Sequence, residues 1–280
     1  MLVKKGNQRS ILITGCSSGI GLCVARGLAV RGYRVFATAR RIEDVDRLAA
    51  EGLESLLLDL NDPGSIDRAV AEVLDRTDGV LYGLFNNGAY GQPGAVEDLS
   101  REALRAQFET NLFGWHQLTQ RVLPVMRRQG RGRIIQNSSI LGFISLTYRG
   151  AYNASKFALE GLTDTLRLEL RGSGIHVSLI EPGPITSAFR HNGYAKWQEN
   201  VQIENSLHKE AYKAMEVRLT KEGPATPFTL PPEAVLEKVV HALESSRPKI
   251  RYYVTFPTYL FATLKRLLPA RVLDWILSKL

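Results

Sequence analysis

The stretch "SILITGCSSGIGLCVARGLAVRGYRVFATARR", residues 10–41, holds a β-branched run, a glycine-rich turn, an apolar pattern at helical spacing and a second apolar run. "SILIT" (10–14) reads as a strand, "CVARGLAVRG" (23–32) as a helix and "YRVFATA" (33–39) as the next strand. Strand, helix and strand in that order make a βαβ unit. The alternation continues through "LESLLLDL" (53–60), "VLYGLFN" (80–86), "GRIIQNSS" (132–139), "IHVSLIEPG" (175–183) and "RYYVTF" (251–256). Helical segments separate these runs, among them "PGSIDRAVAEVLDR" (63–76), with Pro63 near its start, and the long stretches 102–128 and 152–171. The apolar runs are nearly continuous, as strands covered on both faces must be. The expected fold is α/β: a doubly wound, Rossmann-type parallel sheet flanked by helices. No repeat, linker or break in composition divides the chain, so residues 1–280 read as a single domain.

Composition narrows the function classes. At 44% hydrophobic and 23% charged residues, the chain is an ordinary globular one and not a disordered segment. Cys16 and Cys23 lie seven apart in one loop–helix unit, with neither a disulfide framework nor metal-ligand spacing, which points to a reducing cytoplasm. "MLVKKGNQRS" lacks the apolar stretch of a signal peptide. No run approaches the roughly 18 continuous apolar residues of a membrane span. A net charge of +8 suits an anionic cofactor or acidic lipid. Its basic residues are scattered and match no nucleic-acid-binding motif, so no nucleic-acid partner is expected.

In a sheet of this kind ligands bind beyond the carboxyl ends of the strands, where strand order reverses. The strand ends here are dense in Gly, Asn, Ser and Asp, residues that turns favour for conformational reasons alone. "TGCSSGIG" (14–21) goes further. Gly15, Gly19 and Gly21 allow a tight turn and close approach of backbone to a pyrophosphate. Ser17, Ser18 and Ile20 lie between them, at the N-terminus of a helix whose free N–H groups suit phosphate oxygens. The spacing is G-xxx-G-x-G, not the G-x-G-x-x-G of the usual dinucleotide fingerprint. Sites for NAD place an acid about 20 residues past the glycines. Here "ATARR" puts Ala39 at that point, then Arg40 and Arg41, which favours NADP(H) over NAD(H) through a 2′-phosphate. Asp59, followed by Leu60, is placed to accept from an adenine amino group or to cap the next helix.

"TGCSSGIG", "NNGA" (86–89), "NSSILG" (137–142), "YNASK" (152–156) and "EPGPIT" (181–186), in this order, resemble the short-chain dehydrogenase/reductase family. The wording is nearest to its hydroxysteroid and retinol dehydrogenase-like members and to bacterial NADP-dependent aldehyde reductases. The resemblance is close over residues 8 to about 190, which gives a cofactor and catalytic core at 8–186. It departs at "NNGA", where the family usually has N-N-A-G, so the contacts of Asn87 and Gly88 with the adenosine side of the cofactor are the open point. Tyr152 and Lys156, four apart on a helix, share a face. An ammonium beside a phenol favours the phenolate, which would make Tyr152 a usable acid or base. The resemblance implies that Lys156 also holds the nicotinamide ribose, that Ser139 holds the substrate oxygen, and that Asn111, in "FETNLFG", supports a water relay to the lysine. It assigns Pro182, Gly183, Ile185 and Thr186 to the nicotinamide side. Each residue alone has an ordinary structural reading; their order behind a nucleotide loop does not. His116, His176 and His191 have no metal-ligand company, so no metal is expected.

Residues 187–230 stand where the family carries a substrate lid, and Phe143, Tyr148, Phe189, Tyr194 and Trp197 are candidates to line an apolar pocket there. Residues 257–280 read as two short amphipathic helices split at Pro269, with Leu260, Leu264, Leu267 and Leu268 on one face of the first. Packing of that face is the expectation, and peripheral membrane contact the alternative. The family's subunit-pairing helices resemble 102–128 and 152–171, which suggests a homo-oligomer. The function expected is reversible, NADP(H)-dependent reduction of hydrophobic aldehydes or ketones to alcohols. A hydroxysteroid or retinol dehydrogenase is the alternative substrate class, and a non-catalytic NADP(H)-sensing regulator the alternative of another kind.

Overall fold

The computed structural model describes residues 9–224 and 226–280. The N-terminal segment 1–8, on which the reading of a leader rests, and Ala225 within 187–230 lie outside the described residues. Among the described residues β1 (Ser10–Ile13), β2 (Arg34–Ala39), β3 (Glu54–Leu57), β4 (Gly83–Asn86), β5 (Gly132–Asn137), β6 (Ile175–Glu181) and β7 (Arg251–Tyr253) form one sheet. Its order is β3-β2-β1-β4-β5-β6-β7, every neighbouring pair parallel. The helices are α1 (Gly19–Val30), α2 (Ile42–Ala50), α3 (Pro63–Arg76), α4 (Arg101–Phe108), α5 (Gly114–Gln129), α6 (Gly150–Glu169), α7 (Phe189–Asn200), α8 (Lys209–Thr220), α9 (Glu233–Glu244), α10 (Phe256–Leu267) and α11 (Ala270–Leu277).

Strand alternation sorts the core into two layers. Ile11, Ile13, Val35 and Ala37 face one side, against Val24 and Leu28 of α1 and Val235 and Val239 of α9. Leu12, Phe36 and Leu84 face the other, against Ile66 and Val73 of α3, Trp115 and Val122 of α5 and Leu159 of α6. Both sheet faces are therefore covered, which is why β1 is buried at all four positions. The runs read as strands are trimmed at their ends. "LESLLLDL" contributes only Glu54–Leu57 because the chain then turns into α3, capped by Asp62, whose side chain accepts from the Gly64 N–H.

The stretch 102–128 is not one continuous α-helix. Residues Glu109–Phe113 form a π-turn between α4 and α5. Two contacts account for it. The Asn111 amide is drawn to the Tyr90 peptide, and Gly114 packs so closely on Leu60 that a Cβ there would lie 2.3 Å from the Leu60 carbonyl oxygen. A π-turn inserts the extra residue these contacts require, and such turns gather at functional sites.

Residues after β6 leave the sheet and return to it. Ile185 and Leu230 form an isolated parallel bridge, with Thr186 N–H donating to the Leu230 carbonyl at 2.9 Å, so both ends of 187–230 are pinned together. Between them α7 and α8 pack around a small core of their own: Trp197, Val201, Tyr212, Met215 and Leu219, with Ala95 from the body. In the C-terminal pair the stripe that packs is Thr258–Phe261–Ala262, supported by Ile144 and Leu277. This corrects the expected leucine face. Leu264 joins the packed side, but Leu260 and Leu267 point outward, the latter 73% exposed, because the residues that meet α10 approach from the Phe261 side. No helix among the described residues is long and apolar enough to cross a membrane.

The small core of 187–230 hangs on Tyr212, whose hydroxyl donates to the Asp98 carboxylate and accepts from the buried Ala95 N–H at 2.9 Å. Tyr212→Phe strands that amide, a loss of about 1–3 kcal/mol. Limited proteolysis is expected to cut within 187–230 faster in this variant, with the sheet core cleaved no faster than in the parent.

Candidate active site

Strand order reverses between β1 and β4, and their carboxyl ends are stitched together there. The Thr14 hydroxyl accepts from the N–H groups of both Asn87 and Gly88, each at 2.8 Å. The Asn87 amide returns the contact, donating to the carbonyls of Thr14 (2.9 Å) and Gly15 (3.3 Å). The glycine loop is layered onto this stitch at backbone contact distance. Gly15, at φ +71°, lies so close to Gly88 that a Cβ would come within 2.5 Å of its Cα. A Cβ on Gly21 would lie 2.1 Å from the Gly15 carbonyl oxygen. Ser18 stands at the N-cap of α1 without a side-chain cap bond, and the first amides of the helix have no partner within it. Arg47 steadies the loop from outside by donating to the Ser17 carbonyl at 2.5 Å. Gly19 and Ile20 open the helix. Such a cradle, bare of side chains and lined by N–H groups, fits a pyrophosphate.

The paired arginines at the end of β2 part company. Arg41 is held by Asp44 (3.2 Å), which Arg47 also engages (2.9 Å). Arg40 is exposed and has no hydrogen bond or ion pair among the described residues. Asp59 does not cap α3, a role Asp62 takes; its Oδ1 accepts from the Asn61 N–H at 2.9 Å. Leu60 closes over Gly88, where an alanine methyl would sit 3.2 Å from both the Gly15 nitrogen and Leu60 Cδ1. The "NNGA" order is thus matched to this packing, with the Gly88 carbonyl accepting from the Trp115 indole at 2.8 Å.

Tyr152 and Lys156 occupy the first two turns of α6, both buried, at 8% and 1% exposure. The Lys156 ammonium donates to the Asn137 carbonyl at 2.7 Å and lies 4.2 Å from the centre of the Trp115 ring. Burial pushes it down to about 7, against the opposing pull of Glu160. Burial likewise pushes the Tyr152 phenol up to about 12, with only a hydrogen bond from Ser139 acting the other way. The ammonium is turned to Asn137 and Trp115, 5.7 Å from the Tyr152 ring centre. Ser139 ends the loop after β5 and accepts from the Leu141 N–H at 3.1 Å. Asn111, fully buried, accepts from the Tyr90 N–H (3.2 Å) and donates to the Tyr90 carbonyl (2.9 Å) and the Ser155 hydroxyl (3.3 Å).

On the opposite wall, Pro182 accepts from the Ile140 N–H at 2.8 Å, tying its loop to that of Ser139. Gly183 sits where a Cβ would meet the Thr255 hydroxyl at 2.1 Å, and Ile185 and Thr186 form the bridge to Leu230. Phe189 lies edge-on to Tyr152, ring centres 5.3 Å apart. The other aromatics point elsewhere: Tyr148 contacts His208 and Tyr212, Phe143 contacts Tyr253, and Tyr194 stacks on the buried Trp197. Sequence reasoning passed over Thr14, Asn137 and Trp115. The first two stood inside quoted motifs, and Trp115 was marked only by lying four residues past Asn111.

Comparison with known proteins gives this arrangement its family. Residues 9–198 match the short chain dehydrogenase family, and the chain belongs to it. It is similar over nearly its whole length to the Escherichia coli (strain K12) protein named as the uncharacterized oxidoreductase YbbO: 48% identical over 278 residues, covering 99% of this chain and 97% of that one. It is 35% identical over 261 residues to human 17-beta-hydroxysteroid dehydrogenase type 1, covering 88% and 77% of the two chains. The crystal structure of a short-chain dehydrogenase from Streptomyces avermitilis superposes with a TM-score of 0.76, at 29% identity and 97% coverage of each chain. The protein is an oxidoreductase of this family, whose members use a nicotinamide cofactor.

Gly88→Ala restores an alanine at this point of the motif but crowds Gly15 and Leu60. A loss of about 1 kcal/mol is expected, seen as a lower thermal midpoint than the parent.

Proposed function

We propose that the protein is an NADP(H)-dependent reductase of hydrophobic aldehydes or ketones, reversible as an alcohol dehydrogenase. The observation that carries this reading is a buried Tyr152 hydrogen-bonded to Ser139, one helical turn from Lys156, whose partner Asn137 is tied to the glycine cradle through Asn87. The cradle of Gly15, Ser17, Ser18, Gly19, Ile20 and Gly21 would take the pyrophosphate, with Asp59, Leu60, Asn87 and Gly88 on the adenosine side. Pro182, Gly183, Ile185 and Thr186 would wall the nicotinamide. Unengaged Arg40 is the natural partner of a 2′-phosphate; Arg41, committed to Asp44, is a weaker one. When bound, the reduced nicotinamide supplies the hydride. Ser139 and Tyr152 hold the carbonyl oxygen, and Tyr152 gives its proton to that oxygen as negative charge gathers there. Lys156 stabilises the phenolate left behind and would hold the nicotinamide ribose, while Asn111 supports proton return from water. Phe189 covers Tyr152 and keeps water out.

Residues 187–230 serve on this reading as a substrate lid, with Phe189 on the reacting centre and Phe143 and Tyr148 farther out. Similarity to human 17-beta-hydroxysteroid dehydrogenase type 1 favours steroids, with retinoids, as the second substrate class. A sensor without chemistry would have no use for the whole Asn111–Ser139–Tyr152–Lys156 set. We place the protein in the cytoplasm as a homo-oligomer, pairing through α5 and the outward face of α6, where Phe157, Leu162 and Leu168 are exposed. Contact of α10–α11 with anionic membrane is a second reading, favoured by exposed Leu267 and Trp275 beside Arg266, Arg271 and Lys279. Leu267→Glu/Trp275→Glu is expected to abolish co-sedimentation with anionic vesicles; a parent protein that does not sediment would remove the idea.

The test of function is consumption of NADPH and NADH with medium-chain aldehydes, aromatic aldehydes and ketosteroids. Tyr152→Phe is expected to lower turnover by roughly 10²–10⁴ while NADPH binding persists. Arg40→Ala is expected to weaken NADPH roughly 10- to 100-fold and leave NADH unchanged. Equal use of both cofactors by the parent would refute the assignment of Arg40. Tight NADPH binding without turnover on any substrate would favour the sensor.

A further inference from the structure

One helical turn ahead of Tyr152 stands an arginine that has no ion pair among the described residues. Arg149 is the N-cap of α6, reached through Tyr148, whose backbone is held left-handed at φ +59°. A tyrosine adopts that conformation only under constraint, and such constraint gathers at functional sites. Here it is applied twice: the Tyr148 carbonyl accepts from the Gly94 N–H at 3.1 Å, and the Tyr148 hydroxyl lies 3.3 Å from His208 Nδ1. Arg149 itself forms an isolated parallel bridge with Gly94. A guanidinium carries five N–H donors. Although Arg149 is partly buried, only its Nη1 meets the protein, 3.4 Å from the Tyr148 carbonyl and 3.7 Å from Met215 Sδ on α8. Its Nε and Nη2 have no partner among the described residues.

The acids of the neighbouring elements are already engaged. Glu97 meets His208 Nε2 at 2.6 Å. Asp98 accepts from the hydroxyls of Ser206 (2.6 Å) and Tyr212, and Glu216 from that of Tyr194 at 2.7 Å. What stands nearby is a second cation. Arg218 follows Met215 by one turn of α8, is exposed, and has no hydrogen bond or ion pair among the described residues. Burial, and then the charge of Arg218, push Arg149 down to about 10. Two guanidiniums that repel each other and lack a carboxylate favour an anion between them.

The pair is also close to the reacting centre. Gly91 packs on Tyr152 and Phe189, where a Cβ would come within 3.5 Å of Tyr152 Cδ2 and 2.9 Å of Phe189 Cζ. Gly94, which bridges to Arg149, follows three residues later, and three residues of chain span at most about 10 Å. We propose that Arg149, with Arg218, is an oxyanion-binding subsite for the substrate, so that the preferred carbonyl compounds carry a carboxylate or phosphate at the end away from the reacting carbon. This rests on the reading of Tyr152 as proton donor to a substrate carbonyl. A planar guanidinium meets either group through paired, charge-assisted hydrogen bonds. Phe189 would cover the apolar part between the two ends.

Three benzaldehydes that differ only in the para group test the subsite, each with NADPH: para-formylbenzoate, para-formylphenyl phosphate and para-methylbenzaldehyde. The parent is expected to show a KM about 10- to 100-fold lower for a charged aldehyde than for the methyl one, as a hydrogen bond to a charged group gives. The better of the two charged aldehydes names the head group. Arg149→Met should remove the difference. Arg218→Glu, an exposed change that sets a carboxylate beside Arg149, should do the same, and it serves if Arg149→Met fails to fold. A parent that treats all three aldehydes alike, or a folded variant of either kind that keeps the parent's preference, would overturn the proposal. Calorimetric titration with para-(hydroxymethyl)benzoate and para-methylbenzyl alcohol reads the subsite without turnover. Charge-selective binding that Arg149→Met abolishes, with no aldehyde reduced, leaves the subsite standing and removes the reductase reading. Reduction of all three aldehydes with equal binding of the two alcohols does the reverse.

Discussion

A lysine ammonium sunk to 1% exposure must be provided for, and much of the site's construction follows from that constraint. Left unpaired, such a charge costs several kcal/mol. Here it donates to the Asn137 carbonyl and lies over the Trp115 ring, and both partners lead back to the glycine cradle. Asn137 donates through its amide to Asn87 Oδ1 at 2.8 Å, and Asn87 donates to the carbonyls of Thr14 and Gly15. Trp115 donates to the Gly88 carbonyl, which lies against the same loop. Lys156 and the loop that would hold the cofactor are thus two ends of one hydrogen-bonded framework. Displacing either end disturbs the other, so buried, mutually bonded side chains anchored on backbone carbonyls fix their spacing.

The π-turn at Glu109–Phe113 belongs to the same framework. A regular helix would carry Asn111 past Tyr90; the extra residue lets its amide make two hydrogen bonds with that peptide and reach Ser155, which in turn donates to the Tyr152 carbonyl. The turn gives up regular helical bonding and gains a fixed first turn of α6. Residues 187–230 are pinned at the Ile185–Leu230 bridge and packed on a small core shared with Ala95 of the body. Phe189, edge-on to Tyr152, is where this segment meets the first turn of α6.

Much of this was legible in the sequence because the fold is written in local patterns. Seven apolar runs became seven strands, and the helix Pro63–Arg76 fell at its expected bounds. The nucleotide loop and the Tyr152–Lys156 pair were readable because glycine spacing and a four-residue repeat carry their geometry with them. What was not legible depends on the third dimension. The apolar pattern of 102–128 runs unbroken through the π-turn, since its cause lies at Tyr90 and Leu60. One turn of helix between a lysine and a tyrosine says nothing of which way the ammonium points, and here it points to Asn137 and Trp115. Aromatic density at 187–230 suggested a pocket, yet Trp197 fills the segment's own core and Tyr194 stacks on it. The leucine face of α10 failed likewise, because which stripe is buried is decided by where Ile144 and Leu277 stand.

The two arginines after β2 show how far composition carries an argument about specificity. In the sequence Arg40 and Arg41 are equivalent, and both support a cationic pocket for a 2′-phosphate. In the structure Asp44, buried at the start of α2, takes Arg41, and Arg47 satisfies the same carboxylate while bracing Ser17. One basic residue thus holds the turn and the other has no hydrogen bond or ion pair among the described residues. A guanidinium already neutralised by a buried acid gains little from a phosphate, since the phosphate must compete with the carboxylate; an exposed, unengaged one gains a charge-assisted contact and loses only water. On the proposed reading, cofactor preference would sit at the solvent edge of the site, on a residue outside the hydrogen-bonded framework beneath Lys156, so that a change at Arg40 would leave that framework untouched.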